Sequence, residues 1–189
     1  IDERQNWQLD PLPMLISSQD WDVISRGIEQ RVLLLNKVLL DLNTDRQTLT
    51  SGVFSTGHLM RHPYYLAESH TLASLNNGLF LSAFDIAQDV NGEYFMLNDH
   101  CQFPRGLGLL LENRIVARRV MSEEFAECGV QRIAGFFEQL QHAIDQETAA
   151  INDPRIVILC RGPDDQYYSE QAYLATYMGY TLVRSADLT

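Results

Sequence analysis

Basic side chains are scarce in this sequence. The 189 residues hold 14 Lys and Arg against 25 Asp and Glu, a formal net charge of −11. Recognition of a nucleic-acid backbone needs a basic footprint, so the balance argues against a nucleic-acid partner. Long apolar runs are absent too. The best, Val32-Leu33-Leu34-Leu35, is cut by Asn36 and Lys37, far short of the ~20 residues of a membrane-spanning helix. No secretory leader pattern opens the sequence, and no membrane partner is expected. Cysteine is limited to Cys101, Cys128 and Cys160, with no C-x-x-C. An odd, scattered set fits structural thiols in a reducing cytosol, so a cytoplasmic location is expected. His58, His62, His70 and the His100-Cys101 pair lack the spacing of a zinc site. There is no internal repeat and no low-complexity tract.

What is present is globular. The chain is 46% apolar and 21% charged, long enough to bury a sizeable core as one domain or slightly more. It opens at Ile1 without an initiator Met and stops after Asp187-Leu188-Thr189, so a fragment of a longer polypeptide is expected.

Punctuation and periodicity divide the chain. Pro11 and Pro13 make the stretch from Trp7 to Pro13 extended. Ser17 and Ser18 offer an N-cap. A helix is predicted from Asp20 to Asp41, because Trp21, Ile24, Ile28, Val32, Leu35 and Leu39 recur at helical spacing. Gly52 to His70 reads as short helical turns broken at Pro63. Gly78 to Ala87 and Glu93 to Asn98 read as a hairpin around Asn91-Gly92. Leu107 to Arg114 suits a third strand or the start of a helix. Ser122 caps a helical region through Glu147, divided at Gly129, with Val130, Ile133, Phe136, Phe137, Leu140 and Ile144 as its apolar face. Asn152-Asp153-Pro154 reads as a linker. After it come a continuous apolar strand, Arg155 to Cys160, a Gly162-Pro163 break and a helix from Gln166 to Met178. Asp164 or Asp165 would cap that helix and Gly179 would end it, before a strand at Thr181 to Val183. The expected class is α+β / α/β: a module over residues 1–151 built of helices and an antiparallel hairpin, then one β-α-β unit over 152–189.

The stretch from Phe84 to Arg114 carries most of the chemistry. Asp85 lies on one strand and Asn98-Asp99 on its partner. A Pro104-Arg105-Gly106 turn and a Glu112-Asn113-Arg114 triplet follow. Acidic groups on adjacent strands beside a glycine turn suit a magnesium-nucleotide site, since magnesium takes hard oxygen ligands and phosphates take unobstructed backbone N–H groups. The bland alternative is a solvated acidic face.

Four segments together resemble the circularly permuted ATP-grasp proteins, uncharacterised bacterial relatives of glutathionylspermidine synthetase and other carboxylate-amine ligases. They are Trp7-Gln8-Leu9-Asp10-Pro11-Leu12-Pro13, Gly27-Ile28-Glu29-Gln30-Arg31, the Asp85 to Arg114 block, and Gly162 to Val183. The resemblance implies the N-terminal portion of an ATP-grasp fold, with residues 152–189 as the truncated start of a Rossmann-like unit. It implies ATP and magnesium held between two α+β subdomains, and small-molecule carboxylate and amine substrates joined through an acyl phosphate. The remainder of its own polypeptide would be the chain's partner, and the fragment alone would be inactive.

Carried over by position, the resemblance makes Asp85 and Asp99 metal ligands. It makes Gly106, Glu112, Asn113 and Arg114 nucleotide-binding, with Arg114 also catalytic, and Gly162, Tyr168 and Glu170 substrate-binding. Four positions depart from the family pattern. Gln88 replaces an arginine, Leu97 a metal-binding glutamate, Arg105 a serine and Asp165 an asparagine. These departures admit a catalytically degenerate remnant that acts as a binding or regulatory module. For Asp85 and Asp99 to share a metal they must share a face. That needs a three-residue loop, Val90-Asn91-Gly92, with Gly92 left-handed, which pairs Asp89 with Glu93 and sets Asp85 opposite Leu97 and Ala83 opposite Asp99.

Overall fold

The structure is a computed structural model that describes residues 12–66, 78–102 and 104–188. The stretch expected to be extended up to Pro11, and His70, lie outside the described residues. Two compact units form. Among the described residues, one runs as far as Pro104 and the other begins at Arg105.

The first unit opens with α1, Ser18–Asn43. Ser17 caps it by accepting the Asp20 backbone N–H, and the apolar repeat carries it two residues past each expected end. Asp41 near its end accepts the backbone N–H groups of Gln47 and Thr48 and so starts the short α2, Gln47–Thr50. Next is α3, Thr56–Met60, which ends before Pro63 as the sequence requires.

Strands β1, Ala83–Gln88, and β2, Tyr94–His100, then pair antiparallel. Their turn is the three-residue loop. The Asp89 N–H donates to the Glu93 carbonyl, the Gly92 N–H to the Asp89 carbonyl, and Gly92 has φ +88°. The Asp89 carboxylate accepts the Asn91 and Glu93 N–H groups and braces the loop.

The register expected farther along is overturned. Ile86 pairs with Met96, but Asp85 pairs with Asn98, leaving Leu97 as the extra residue of a β-bulge. Phe84 then faces Asp99, and Ala83 faces His100. Because side chains alternate, this slip of one residue places Asp85 and Asp99 on opposite faces. The Asp99 carboxylate takes both ends of the Arg31 guanidinium of α1, at 2.8 Å for Nη2 to Oδ2. The Asn36 side chain of α1 accepts the Leu79 N–H at 2.8 Å. These polar ties hold the helix to the hairpin.

The second unit starts with α4, Leu107–Val120, which resolves the strand-or-helix alternative at Leu107 in favour of helix. Helix α5, Ser122–Glu127, and α6, Ala134–Thr148, are separated around Gly129 as expected. Ser122 is the first residue of α5 rather than its cap. Met121 holds that position, because α4 runs into α5 with no extended residue between them.

Parallel strands β3, Val157–Cys160, and β4, Thr181–Arg184, flank α7, Tyr168–Met178, giving the expected β-α-β unit. Gly179 ends α7 with φ +74°. Asp165 accepts the Tyr167 N–H in the turn before α7 rather than at its cap. The strand read as a continuous apolar run is only partly buried: Val157 and Leu159 are exposed while Cys160 is buried. One helix beside two strands covers one face.

Leu111 of α4, Phe137 of α6 and Met178 of α7 share one core. Phe137 is 1% exposed and meets the Tyr177 ring edge-on at 5.1 Å. This core moves the division of the chain. The boundary expected between residues 151 and 152 runs through the unit, and the compact units part between Pro104 and Arg105.

Two outcomes check the packing. A Cβ at Gly108 of α4 would lie 2.5 Å from the Glu170 carbonyl oxygen. Gly108→Ala should therefore lower stability by about 1–3 kcal/mol in urea unfolding. Gly135→Ala in α6 meets nothing within 4 Å and should raise stability by up to about 1 kcal/mol. The Arg31–Asp99 tie is read by pH. Arg31 holds the Asp99 carboxyl below the usual carboxylate range. A depressed carboxyl stabilises above its unfolded pKa and loses that contribution as pH falls through its folded value. Asp99→Asn should unfold at lower urea than the parent at pH 6, and the gap should close towards pH 2.5. A gap unchanged across that range would dismiss the tie.

Candidate functional site

On the hairpin face away from Arg31, β1 presents Asp85 and β2 presents Asn98 and His100. The Asn98 amide donates to Asp85 Oδ2 at 3.1 Å, and His100 Nε2 lies 2.9 Å from the same oxygen. His100 first, then Asn98, hold the Asp85 carboxyl below the usual range. The group is half exposed, and Asp85 Oδ1 makes no hydrogen bond among the described residues. One anionic oxygen pair beside an amide is enough protein for magnesium, which keeps most of its waters and takes one or two carboxylates. Among the described residues no three His, Cys, Asp or Glu side chains gather as a metal site. Asp99 does not fit beside Asp85. It lies on the other face with both oxygens on Arg31, and the bulge is the cause. The Asp85–Asn98 pairing is produced by the register shift at the bulge. His100, two residues along on the same face, could have been found by the same alternation.

In the second unit two distant sequence blocks meet. Gly106, with φ +100°, sits at the N-cap of α4, and its N–H donates to Oε1 of Glu170 in the first turn of α7. Glu170 is buried and is the one charged side chain so placed among the described residues. A carboxylate at a helix N-terminus meets the positive end of the dipole and an N–H with no intrahelical acceptor. The first α4 bond inside the turn is Leu110 N–H to the Gly106 carbonyl, at 2.7 Å. The N–H groups of Leu107, Gly108 and Leu109 precede it. The Arg105 guanidinium lies 3.8 Å over the Tyr167 ring. Arg105, a departure from the family pattern, thus clamps the turn from its other side.

The remaining candidates are spread over the same unit. Gly162, with φ +116°, makes the turn after β3, and its N-terminal neighbour Arg161 reaches Asp165 at 3.8 Å. Tyr168 opens α7, with its N–H on the Asp165 carbonyl. Glu112 on α4 faces Tyr173 on α7 and raises the pKa of that phenol. Asn113 is half-buried beside it on α4. The Arg114 guanidinium lies 5.7 Å from the Phe125 ring centre and makes no ion pair among the described residues. Glu170 is spoken for by Gly106. Its carboxylate holds the turn.

The profile of the family described as circularly permuted ATP-grasp type 2 matches residues 13–189. An uncharacterised protein of Mycobacterium tuberculosis is 35% identical over 184 residues, 96% of this chain and 21% of the relative. An uncharacterised protein of Mycobacterium leprae is 29% identical over 189 residues, 98% of this chain and 34% of the relative. A Frankia casuarinae protein named as a putative glutamate–cysteine ligase 2-2 is 27% identical over 181 residues, 95% of this chain and 21% of its own. The chain spans about a fifth to a third of the length of these relatives. With the profile matched from residue 13 to the last, the chain belongs to the circularly permuted ATP-grasp type 2 family.

Proposed function

We propose that this chain supplies part of an ATP-dependent carboxylate-amine ligase that uses Mg-ATP. The family match over residues 13–189 carries the reading, and the relative named as a putative glutamate–cysteine ligase supports the reaction class. In the proposed reaction a substrate carboxylate oxygen attacks the γ-phosphorus of ATP and ADP leaves. The amine then attacks the acyl carbon and phosphate leaves. Magnesium would neutralise phosphate charge as the transfer proceeds.

The chain's own groups have separable roles. Asp85, flanked by Asn98, would hold the metal. The Gly106 turn and the free N–H groups at the start of α4 would receive phosphate oxygens. Arg114 would offset charge developing on the transferred group. Glu170 and Arg105 hold the turn in place. Glu112, Asn113, Gly162 and Tyr168 stay candidates for nucleotide and substrate contact.

A second reading, a degenerate family member that binds or regulates, is favoured by two details. Leu97 stands where the family places a metal-binding glutamate, and Arg31 occupies Asp99.

Two measurements test these readings. Calorimetric titration of Mg-ATP into the 189-residue chain should show no binding tighter than about 100 μM. A dissociation constant near ~1 μM would show instead that these residues suffice alone. In a family member of full length that carries this segment, Asp85→Asn should lower Mg-dependent ADP release by about 100-fold, while Asp99→Asn changes it less than about fivefold and acts on stability instead. Equal losses would restore Asp99 to the metal, and no ADP release from the parent with any carboxylate and amine pair would favour the degenerate reading.

A further inference from the structure

Between α1 and the hairpin, within the first unit, lies an open crevice of about 790 Å³. That is the size of a small-molecule site, roughly 300–1,000 Å³. Its walls are mostly apolar, with Ile24 and Leu34 from the helix and Ile86 and Met96 from the hairpin. Leu34 is 61% exposed, which is costly for an apolar wall left in water.

The polar lining has one sign. Arg31 and Lys37 line the crevice and, among the described residues, no Asp or Glu does. Arg31 is neutralised by Asp99. Lys37 makes no ion pair or hydrogen bond among the described residues. It is also the sole lysine of the sequence, the other thirteen basic residues being arginines. An ammonium on a flexible stem lies easily along an apolar wall and presents a point charge at its end. In a chain of net charge −11, an unpaired cation on an apolar crevice is a local exception to a field that repels anions.

We propose that the crevice binds a small amphipathic carboxylate, its apolar chain along Leu34, Ile86 and Met96 and its anionic end on the Lys37 ammonium. The site is independent of the ligase reading, since it uses the Arg31 face of the hairpin and not the Asp85 face.

The single lysine makes the site directly observable. Reductive methylation with ¹³C-formaldehyde labels Lys37 and the chain's α-amino group and keeps both charges. Octanoate should shift the Lys37 signal saturably, with a dissociation constant below about 1 mM, and leave the α-amino signal unmoved. Lengthening the series from hexanoate to decanoate should tighten binding roughly two- to fourfold per methylene. Lys37→Gln, followed through the Met96 methyl signal, should weaken octanoate at least about tenfold and octanol less than about twofold, as expected for loss of one charge contact. Leu34→Gln, at an exposed position, should weaken both ligands. Equal affinity for octanoate and octanol, or an unmoved Lys37 signal while Met96 saturates, would remove the carboxylate from the proposal. Absence of any saturable shift, or a concentration-dependent dimer in sedimentation that covers Lys37, would overturn it.

Discussion

A buried carboxylate organises the second unit. Glu170 lies in the first turn of α7 and gives its side chain to the Gly106 N–H across 64 residues of sequence. A buried charge without a partner is among the most destabilising features a fold can carry, so the backbone donor is required. The donor exists only because Gly106 ends the turn at the open start of α4. The approach is so close that Gly108, two residues farther, has no room for a Cβ against the Glu170 backbone. The turn, the start of α4, the start of α7 and the β-α-β unit around α7 are therefore set by one contact. Leu111, Phe137 and Met178 then close the apolar core beside it.

That contact also changes the meaning of Glu170. An acidic residue in a ligase motif invites a role on substrate. Here the carboxylate already rests on a helix dipole and supports the groups that would meet phosphate. Arg105 is a parallel case. It replaces a small family residue, yet its stacking on Tyr167 holds the same turn, so the departure retains the turn by different means. Arg114 has no carboxylate partner among the described residues and lies beside the Phe125 ring.

In the first unit the deciding feature is one surplus residue. The loop from Asp89 to Glu93 sets one register and the Leu97 bulge converts it to another. The bulge lets Phe84 and Asp99 turn toward α1, where Arg31 takes the carboxylate, while Asp85 gathers Asn98 and His100 on the opposite face. A single face with two aspartates thus becomes two faces with one each. One anchors α1 and the other is held by Asn98 and His100. An apolar crevice lies between α1 and the strands, and Lys37 is part of its lining.

The sequence by itself determined whatever depends on neighbours a few positions apart. The three- and four-residue spacing of Ile24, Ile28, Val32, Leu35 and Leu39 specified α1. Asn91-Gly92 marked the hairpin turn, and Gly179 ended α7 ahead of a parallel strand. Family membership was legible from the order of the motifs. Tertiary structure alone decided the bulge at Leu97, the Arg31–Asp99 and Gly106–Glu170 bonds, the clearance at Gly108 and the division at Pro104. Each of these is a competition settled at a distance. A strand can slip by one residue without changing its own periodicity, and a carboxylate carries no local sign of which distant N–H will take it. Burial, charge pairing and the space between packed helices select among locally equal choices, and they exist only once the elements have met.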